Sequence, residues 1–230
     1  MHFIISNIKY LKEIGKLDPT LFSEHIGMNI ARVHMLLSDP STITLPQLKE
    51  IADYTGYTMD YLYTKDIESI DEKIKNKEIK MILSDVDGVL TDGGMNYTAS
   101  GDEFKKFNTK DGIGIKLAIK NNLLVGFISS GFDERIIRKR TDMLGVPLCY
   151  VGSENKINIM NTWIEQAGLQ ADDIAYIGDD INDMECMGVA GLSVCPSDAH
   201  PHIQAIADIK LINKGGEGCF RALVDLLQLE

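Results

Sequence analysis

Residues 81–94, with the sequence MILSDVDGVLTDGG, decide how the rest of the chain is interpreted. A short apolar run typical of a buried strand ends at Asp85 and Asp87, which stand two positions apart. Side chains at such positions of an extended chain lie on one side, and Gly88 then allows a tight backbone turn. Two carboxylates held close together repel each other unless a cation or a shared proton compensates. Alone, the pattern fits an acidic turn or a calcium-like loop as well as a catalytic metal site.

A second apolar run that ends in acids, AYIGDDIND, occupies residues 175–183. Its first acid after the glycine, Asp179, lies 92 positions beyond Asp87. Because ligands of open parallel sheets bind beyond the carboxyl ends of the strands, the two acidic runs are expected to meet at one edge of a sheet. Carboxylate oxygens are hard ligands, so the sequence predicts a Mg²⁺ site there.

From residue 79 onward, apolar runs alternate with amphipathic helical patterns. This alternation predicts an α/β domain over 79–230, with a parallel, Rossmann-like sheet and helices on both faces. Residues 95–108 additionally read as a β-hairpin that turns at 99–102. The expected sheet strands are 80–85, 123–130, 147–152, 174–180, 191–195 and 208–212.

The first 65 residues have a different pattern, with apolar residues at helical spacing and no strand signal. Prolines and glycines occur where helices are expected to start and stop. We therefore predict a small all-α domain over 1–65 and a charged linker helix over 66–78. The expected helices are 19–27, 29–37, 46–56 and 58–64.

Three further residues supply what a phosphate group needs. Ser129 and Ser130 end the second predicted sheet strand, where hydroxyl and backbone N–H groups can hold phosphate oxygens. Lys156 starts the helix after the third strand and can neutralise a phosphate dianion. Each residue is a weak signal alone, since most serines cap turns and most lysines are solvated. Their order after successive strands gives them weight.

This arrangement resembles the haloacid dehalogenase superfamily of phosphotransferases, whose four motifs occur here in order at Asp85/Asp87, Ser129, Lys156 and Asp179/Asp183. The resemblance implies that Asp85 is the nucleophile and that Asp87 is the general acid and base. It also implies that Mg²⁺ is held by the Asp85 and Asp179 side chains and the Asp87 backbone carbonyl. Asp183 and Asn182 are then expected to orient the metal surroundings and Lys156.

Residues 79–230 look more specifically like phosphatases that act on the 8- or 9-phosphates of long-chain keto-sugar acids. DVDGVLTDGG, FKKFNTKDGIGIKL, AYIGDDINDM and the tail KGGEGCFR carry this resemblance. It implies a magnesium-dependent phosphomonoesterase whose substrate is 3-deoxy-D-manno-octulosonate 8-phosphate or the nine-carbon 9-phosphate analogue.

The spacing of the motifs leaves no room for a cap domain, since Ser129 lies 44 positions after Asp85 and Lys156 lies 27 positions after Ser129. The family resemblance implies a homotetramer, in which neighbouring subunits and the Gly-rich tail 214–218 cover the site. The family typically has Thr-Gly-Arg where this chain has Ser129-Ser130-Gly131, so an arginine is missing. The candidates for contacting the remainder of the substrate are Asn108, Lys110 and Arg221.

Residues 19–62 resemble the helix-turn-helix domain of lambda-repressor-type regulators. The second helix of that motif enters the major groove, which would offer Asn29, Arg32 and His34 to DNA bases. Residues 1–65 contain six Lys and Arg against seven Asp and Glu, whereas DNA binders usually present a basic face. We favour a module that packs or mediates assembly, and keep a DNA-binding regulator with a sugar-phosphate-sensing domain as the alternative.

Composition excludes other classes of function. The formal charge of −11 argues against broad nucleic-acid binding. No apolar stretch reaches the 18 or so residues that a membrane span needs. The N-terminal residues lack a small-residue cleavage site, so we expect a cytoplasmic protein.

Overall fold

The computed structural model describes residues 3–229, which form two compact units. One unit ends at Glu72 and the other begins at Lys73. This boundary lies inside a helix over Ile67–Asn76, within the segment 66–78 that the sequence marks as a linker helix. In the part of the chain that the structure describes, no helix is both long and apolar enough to cross a bilayer.

The first unit is helical, as the apolar spacing predicted. Asp18 accepts hydrogen bonds from the Thr20 and Leu21 amides, so α2 begins there, and Gly27 ends it in the left-handed conformation with φ 65°. The helices are α1 Ile4–Glu13, α2 Pro19–Ile26, α3 Ile30–Ser38, α4 Leu45–Thr55, α5 Met59–Thr64 and α6 Ile67–Asn76, with a 3₁₀ turn over Pro40–Thr42.

Helix α1 was not among the predicted helices, and it is central to this unit. Ile8 and Leu11 are fully buried in the core cluster. The buried Asn7 side chain donates to the Leu62 and Lys65 carbonyls and accepts from the Ile67 amide. A single polar side chain therefore satisfies the backbone groups between α5 and α6, a role that periodicity cannot reveal.

Helix α3 presents Asn29, Arg32 and His34 on its exposed side. Asn29 also caps the helix by accepting a hydrogen bond from the Ala31 amide. Exposure is necessary for contact with DNA but is also usual for polar residues of a surface helix. The helix-turn-helix interpretation stays a prediction.

The second unit contains a six-stranded parallel sheet in the order β5-β4-β1-β6-β7-β8 and an antiparallel hairpin of β2 and β3. All six predicted sheet strands and the predicted hairpin are present. The strands are β1 Met81–Ser84, β2 Asn96–Tyr97, β3 Glu103–Phe104, β4 Leu124–Ser129, β5 Leu148–Val151, β6 Ile174–Ile177, β7 Leu192–Cys195 and β8 Ile209–Lys210.

Helices connect the parallel strands, as a parallel sheet requires. They are α7 Thr109–Lys120, α8 Glu134–Leu144, α9 Lys156–Ala167, α10 Met184–Val189, α11 Pro201–Ile206 and α12 Cys219–Leu226, with 3₁₀ turns over Ala171–Asp173 and Ile181–Asp183. The fold class expected from the sequence, an α/β unit with a Rossmann-like parallel sheet beside a small helical unit, is confirmed.

Strand register determines where the site can form. Ser84, the last residue of β1, pairs with Phe127 of β4 and Ile177 of β6. The segments that follow these three central strands therefore leave the sheet at the same edge. Strand β1 is buried along its whole length, so its carboxyl end delivers Asp85 from a fixed position in the core.

Candidate active site

The loop after β1 presents Asp85 from a rigid backbone. The Asp85 amide donates to the Ile177 carbonyl at 2.9 Å, which extends the sheet ladder by one residue. The Leu90 amide then donates to the Val86 carbonyl at 2.9 Å and closes the loop, in which Gly88 has φ +94°. The Asp85 side chain is buried, and this loop fixes its position.

Lys156 lies at the first position of α9 and is almost completely buried between two carboxylates. Its Nζ lies 2.8 Å from Asp85 Oδ1 and 2.7 Å from Asp183 Oδ1. Burial alone would lower the pKa of Lys156, but Asp85 and Asp183 raise it far above its usual range. The side chain is therefore a fixed positive charge beside Asp85.

Asp183 has no lone pair left for a metal ion. Its Oδ1 accepts hydrogen bonds from Lys156 and from the Tyr176 hydroxyl, both at 2.7 Å. Its Oδ2 accepts from the Asp179 and Asp180 amides at 3.0 and 3.3 Å. A carboxylate offers about four acceptor sites, and all four are used here. Asp183 therefore holds Lys156 and the backbone of Asp179 in place.

We expect Asp183→Asn to lower the free energy of unfolding by about 2–3 kcal/mol, because an amide cannot accept from four donors and carries no charge opposite Lys156. Denaturant unfolding followed by circular dichroism measures this loss. The control is Asp180→Asn, since Asp180 is exposed and its side chain caps the 3₁₀ turn over Ile181–Asp183, a role that asparagine also fills. Equal losses in the two variants would contradict the role of Asp183.

Asp179 has the properties of a metal ligand. Its Oδ1 is buried and has no hydrogen-bond partner. One carboxylate oxygen each from Asp85, Asp179 and Asp183 lie within 4.8 Å of one another. Since Asp183 is saturated, Asp85 and Asp179 remain as the pair that can bind a cation, and an oxygen pair of this kind suits Mg²⁺.

The pKa values of Asp85 and Asp179 fit the binding of a cation. Burial raises the pKa of Asp179 to about 6. Burial first, and then the nearby charge of Asp183, raise the pKa of Asp85 well above its ordinary value. Both shifts mean that the two ionised carboxylates are costly without a bound cation. The residues present therefore fit a divalent metal ion.

Asp87 lies two residues from Asp85 and faces a different set of partners. Its Oδ1 lies 2.7 Å from Lys105 Nζ and 3.3 Å from Thr91 Oγ1, and its Oδ2 lies 3.5 Å from Ser129 Oγ. Lys105 also contacts Glu103 Oε1 at 2.8 Å. Sequence reasoning missed Lys105 and Glu103. The only available signal was their position in the predicted hairpin.

Of the residues predicted to bind phosphate, Lys156 contacts Asp85, and Ser129 contacts Asp87. Ser129 is buried, and its Oγ accepts a hydrogen bond from the Gly131 amide at 3.1 Å. Ser130 is exposed, and its Oγ accepts a hydrogen bond from Asn182 Nδ2 at 3.2 Å. Asn182 was expected to orient the metal surroundings and Lys156, but the contact that the structure shows is with Ser130.

An open cavity of about 290 Å³ is lined by Asp85, Asp87, Asp179 and Ser130. Lys156 and Ser129 lie behind these residues and are not part of its lining. Its other walls include Met95, Glu103 and Lys105 of the hairpin region and Phe132, whose side chain is 98% exposed. The hairpin therefore contributes directly to the cavity.

The three residues proposed for the remainder of the substrate do not line this cavity. Asn108 caps α7 and donates to the Gly216 carbonyl. Arg221 pairs with Asp225 at 2.7 Å, and Lys110 is exposed in the first turn of α7. Within one chain these three side chains lie outside the cavity, and their assignment to the substrate stays a prediction.

The Gly-rich tail packs against the loop after β1 and does not close the cavity within its own chain. The Gly216 amide donates to the Val89 carbonyl at 2.9 Å, and the Gly215 amide donates to Asp198 Oδ1. A side-chain carbon at Gly215 would overlap the Gly88 carbonyl oxygen. The glycines therefore permit close backbone contact between the tail and the loop after β1.

Comparison with known proteins agrees with this geometry. Residues 150–223 match the model of the haloacid dehalogenase-like hydrolases. The 3-deoxy-D-manno-octulosonate 8-phosphate phosphatase of Haemophilus influenzae is 37% identical over 156 residues, which are 68% of this chain and 85% of that protein.

Solved structures show the same similarity. The 3-deoxy-D-manno-octulosonate 8-phosphate phosphatase of Yersinia pestis has a TM-score of 0.67 and 32% identity, covering 70% of this chain and 86% of that one. The Moraxella catarrhalis phosphatase, solved with a magnesium ion, a phosphate ion and a KDO molecule, has a TM-score of 0.67 and 26% identity, covering 70% and 91%. Aspartates directly follow the parallel strands β1 and β6, and the chain matches these relatives over most of their length. The chain therefore belongs to the haloacid dehalogenase-like hydrolases, in the family of the 3-deoxy-D-manno-octulosonate 8-phosphate phosphatases.

Proposed function

We propose that this protein is a magnesium-dependent phosphatase that removes the terminal phosphate of a keto-deoxy sugar acid through an aspartyl-phosphate on Asp85. The observation that carries the proposal is the shared position of Asp85, Lys156 and Asp179 at one sheet edge, with an unpartnered buried oxygen on Asp179. Family membership supplies the class of reaction.

The first step forms a bond between an Asp85 carboxylate oxygen and phosphorus. The bond between phosphorus and the sugar oxygen breaks, and Asp87 gives that oxygen a proton. Lys156, fixed 2.8 Å from Asp85, holds the nucleophile and supplies positive charge to the phosphate oxygens. Ser129 and Ser130 lie on the side of Asp87 and are assigned to the phosphate group.

The second step is hydrolysis of the aspartyl-phosphate. Asp87, now ionised, takes a proton from water as the water oxygen bonds to phosphorus, and the bond to Asp85 breaks. Asp87 thus serves first as the general acid and then as the general base of this two-step reaction. The partly exposed position of Asp87 at the cavity wall suits both roles.

The Asp85 and Asp179 side chains, with the Asp87 backbone carbonyl, are the groups proposed to hold Mg²⁺. When bound, the ion neutralises the repulsion between these carboxylates and the phosphate dianion. The unpartnered Oδ1 of Asp179 and the raised pKa of Asp85 and of Asp179 support this assignment of the metal ligands.

We propose 3-deoxy-D-manno-octulosonate 8-phosphate or its nine-carbon 9-phosphate analogue as the substrate. The activity of the relatives supports this substrate. Lys105 is the only cation among the described cavity-lining residues, and it is already paired with two acids. The substrate carboxylate thus needs a cation from elsewhere. We propose that a neighbouring subunit of a homotetramer supplies it, since Met95, which lines the cavity, and Tyr97 and Phe104 of the hairpin expose apolar side chains that a second subunit can cover.

A phosphatase screen over eight- and nine-carbon keto-acid phosphates tests this function. We expect phosphate release from one of them to exceed release from simple hexose phosphates by about 10²-fold or more in kcat/KM. Release should stop when EDTA removes Mg²⁺ and should return when Mg²⁺ is restored. Full turnover in EDTA would contradict the metal assignment, and equal rates on all phosphates would contradict the substrate class.

A further inference from the structure

Lys105 is a buried cation that the proposed reaction does not use. It follows β3 in the hairpin, and only 4% of its side chain is exposed. Burying an ammonium group is costly unless it is paired and hydrogen-bonded. Here Nζ lies 2.7 Å from Asp87 Oδ1 and 2.8 Å from Glu103 Oε1, so two carboxylates compensate that cost.

The contact with Lys105 is the shortest side-chain contact of the Asp87 carboxylate among those described above. The Lys105 contact is short and charged, whereas Thr91 Oγ1 and Ser129 Oγ lie 3.3 and 3.5 Å from the carboxylate, near the limit for a hydrogen bond. Charged hydrogen bonds are roughly twice as strong as neutral ones. The ammonium group therefore dominates the orientation of the Asp87 carboxylate.

Each of the two buried lysines contacts two carboxylates of the site. Lys156 contacts Asp85 and Asp183, whereas Lys105 contacts Asp87 and Glu103. Each lysine bridges one reacting carboxylate and one supporting carboxylate. Lys156 comes from a core helix, but Lys105 comes from the hairpin.

We propose that Lys105 is a positioning residue that holds the Asp87 carboxylate toward the leaving oxygen, with Glu103 anchoring the ammonium group from the other side. The inference rests on the proposed function, in which Asp87 exchanges the proton. It makes the hairpin part of the acid–base machinery as well as a wall of the cavity.

Two other roles for Lys105 lead to different results. If its ammonium group binds the substrate, its loss should raise KM and should matter whether or not Asp87 is present. If it only stabilises the hairpin, its loss should lower the melting temperature with little effect on kcat. Positioning predicts a lower kcat at nearly constant KM, and an effect that disappears when Asp87 is replaced.

The test is a double-mutant cycle with Lys105→Met, Asp87→Asn and the combined variant, measured as kcat and KM on the substrate found in the screen. Lys106→Met is the matched control, because Lys106 is the next residue, carries the same charge and is exposed. Lys105→Arg keeps the charge and should retain more activity than Lys105→Met. Crystal structures of the wild type and Lys105→Met report the Asp87 orientation directly.

We expect Lys105→Met to lower kcat by about 10²-fold, a typical share for acid–base catalysis, with KM changed less than about twofold. In the Asp87→Asn background the same replacement should change kcat less than about twofold. The crystal structure of Lys105→Met should show Asp87 turned away from its wild-type position. Lys106→Met should behave as the wild type.

Equal effects of Lys105→Met in both backgrounds, a raised KM at unchanged kcat, or an unmoved Asp87 would each overturn the inference. If Lys105→Met does not fold, the cycle is measured with Lys105→Gln, which also removes the charge and for which the same three outcomes overturn the inference. If the wild type hydrolyses no phosphate, the proposed function fails, and the two crystal structures still decide whether Lys105 positions Asp87.

Discussion

Replacing Asp85 with Asn is expected to lower phosphatase kcat by about 10⁴-fold or more, because an amide cannot form the aspartyl-phosphate. The replacement keeps the size and planarity of the side chain, so Lys156 and the loop after β1 should stay in place. Steady-state phosphate release at saturating Mg²⁺ measures the loss. Activity within tenfold of the wild type would remove Asp85 from the mechanism and with it the proposed reaction.

The same replacement should not destabilise the metal-free protein. Burial and the charge of Asp183 raise the pKa of Asp85, which means that its ionised form is held at a cost in the folded state at neutral pH. Asparagine removes that cost, and Lys156 keeps its ion pair with Asp183. Thermal unfolding in EDTA should therefore give an equal or higher melting temperature for Asp85→Asn.

The change in melting temperature on adding Mg²⁺ distinguishes the loss of a metal ligand from a general loss of stability. The wild type should gain thermal stability when Mg²⁺ is added, because a ligand that binds only the folded state stabilises it. Asp85→Asn should gain less, since one of its two carboxylate ligands is gone. Asp172→Asn is the control, because Asp172 is exposed and lies outside the cavity. An Asp85→Asn protein that melts far below the wild type in EDTA would contradict this account.

Most of the fold was predictable because its determinants are local. Each strand of the large sheet is a short apolar run, and helical spacing fills the intervals between them, so periodicity identified all six strands. Helix α1 was missed because its burial depends on long-range partners. Asn7, for example, contacts backbone groups of Leu62 and Lys65, more than fifty positions away.

The aspartates were easier to predict than the residues around them. Asp85, Asp87 and Asp179 follow strands directly, so strand order alone places them at one edge of the sheet. Lys105 and Glu103 lie on a hairpin whose path across the cavity is not encoded by periodicity. Arg221 was proposed for the substrate because of its charge. The structure shows its side chain paired with Asp225 at i+4, and the assignment stays a prediction.

Gly88 was interpreted from the sequence as a turn residue, and the structure gives it a second role beside Asp179. Its φ of +94° lies in the region that favours glycine, and a side-chain carbon there would overlap the Asp179 carboxylate. The absence of a side chain at position 88 is therefore what lets the segment after β6 approach the loop after β1.

We expect Gly88→Ala to weaken Mg²⁺ binding by about 10²-fold and to lower kcat/KM by about 10²-fold or more, because Asp179 must move away from Asp85. Titration of activity with Mg²⁺ and isothermal calorimetry of Mg²⁺ binding measure the two losses. The backbone strain itself should cost about 1–2 kcal/mol of stability.

The control for strain is Gly145→Ala, since Gly145 has φ +75° at the end of α8 and no atom within 4 Å of the added carbon. It should lose stability to a similar degree while keeping wild-type Mg²⁺ affinity and turnover. If both variants lose activity equally, strain alone explains the result. If Gly88→Ala binds Mg²⁺ as the wild type does, Asp179 does not hold the ion, and the metal site built on Asp85 and Asp179 must be reassigned.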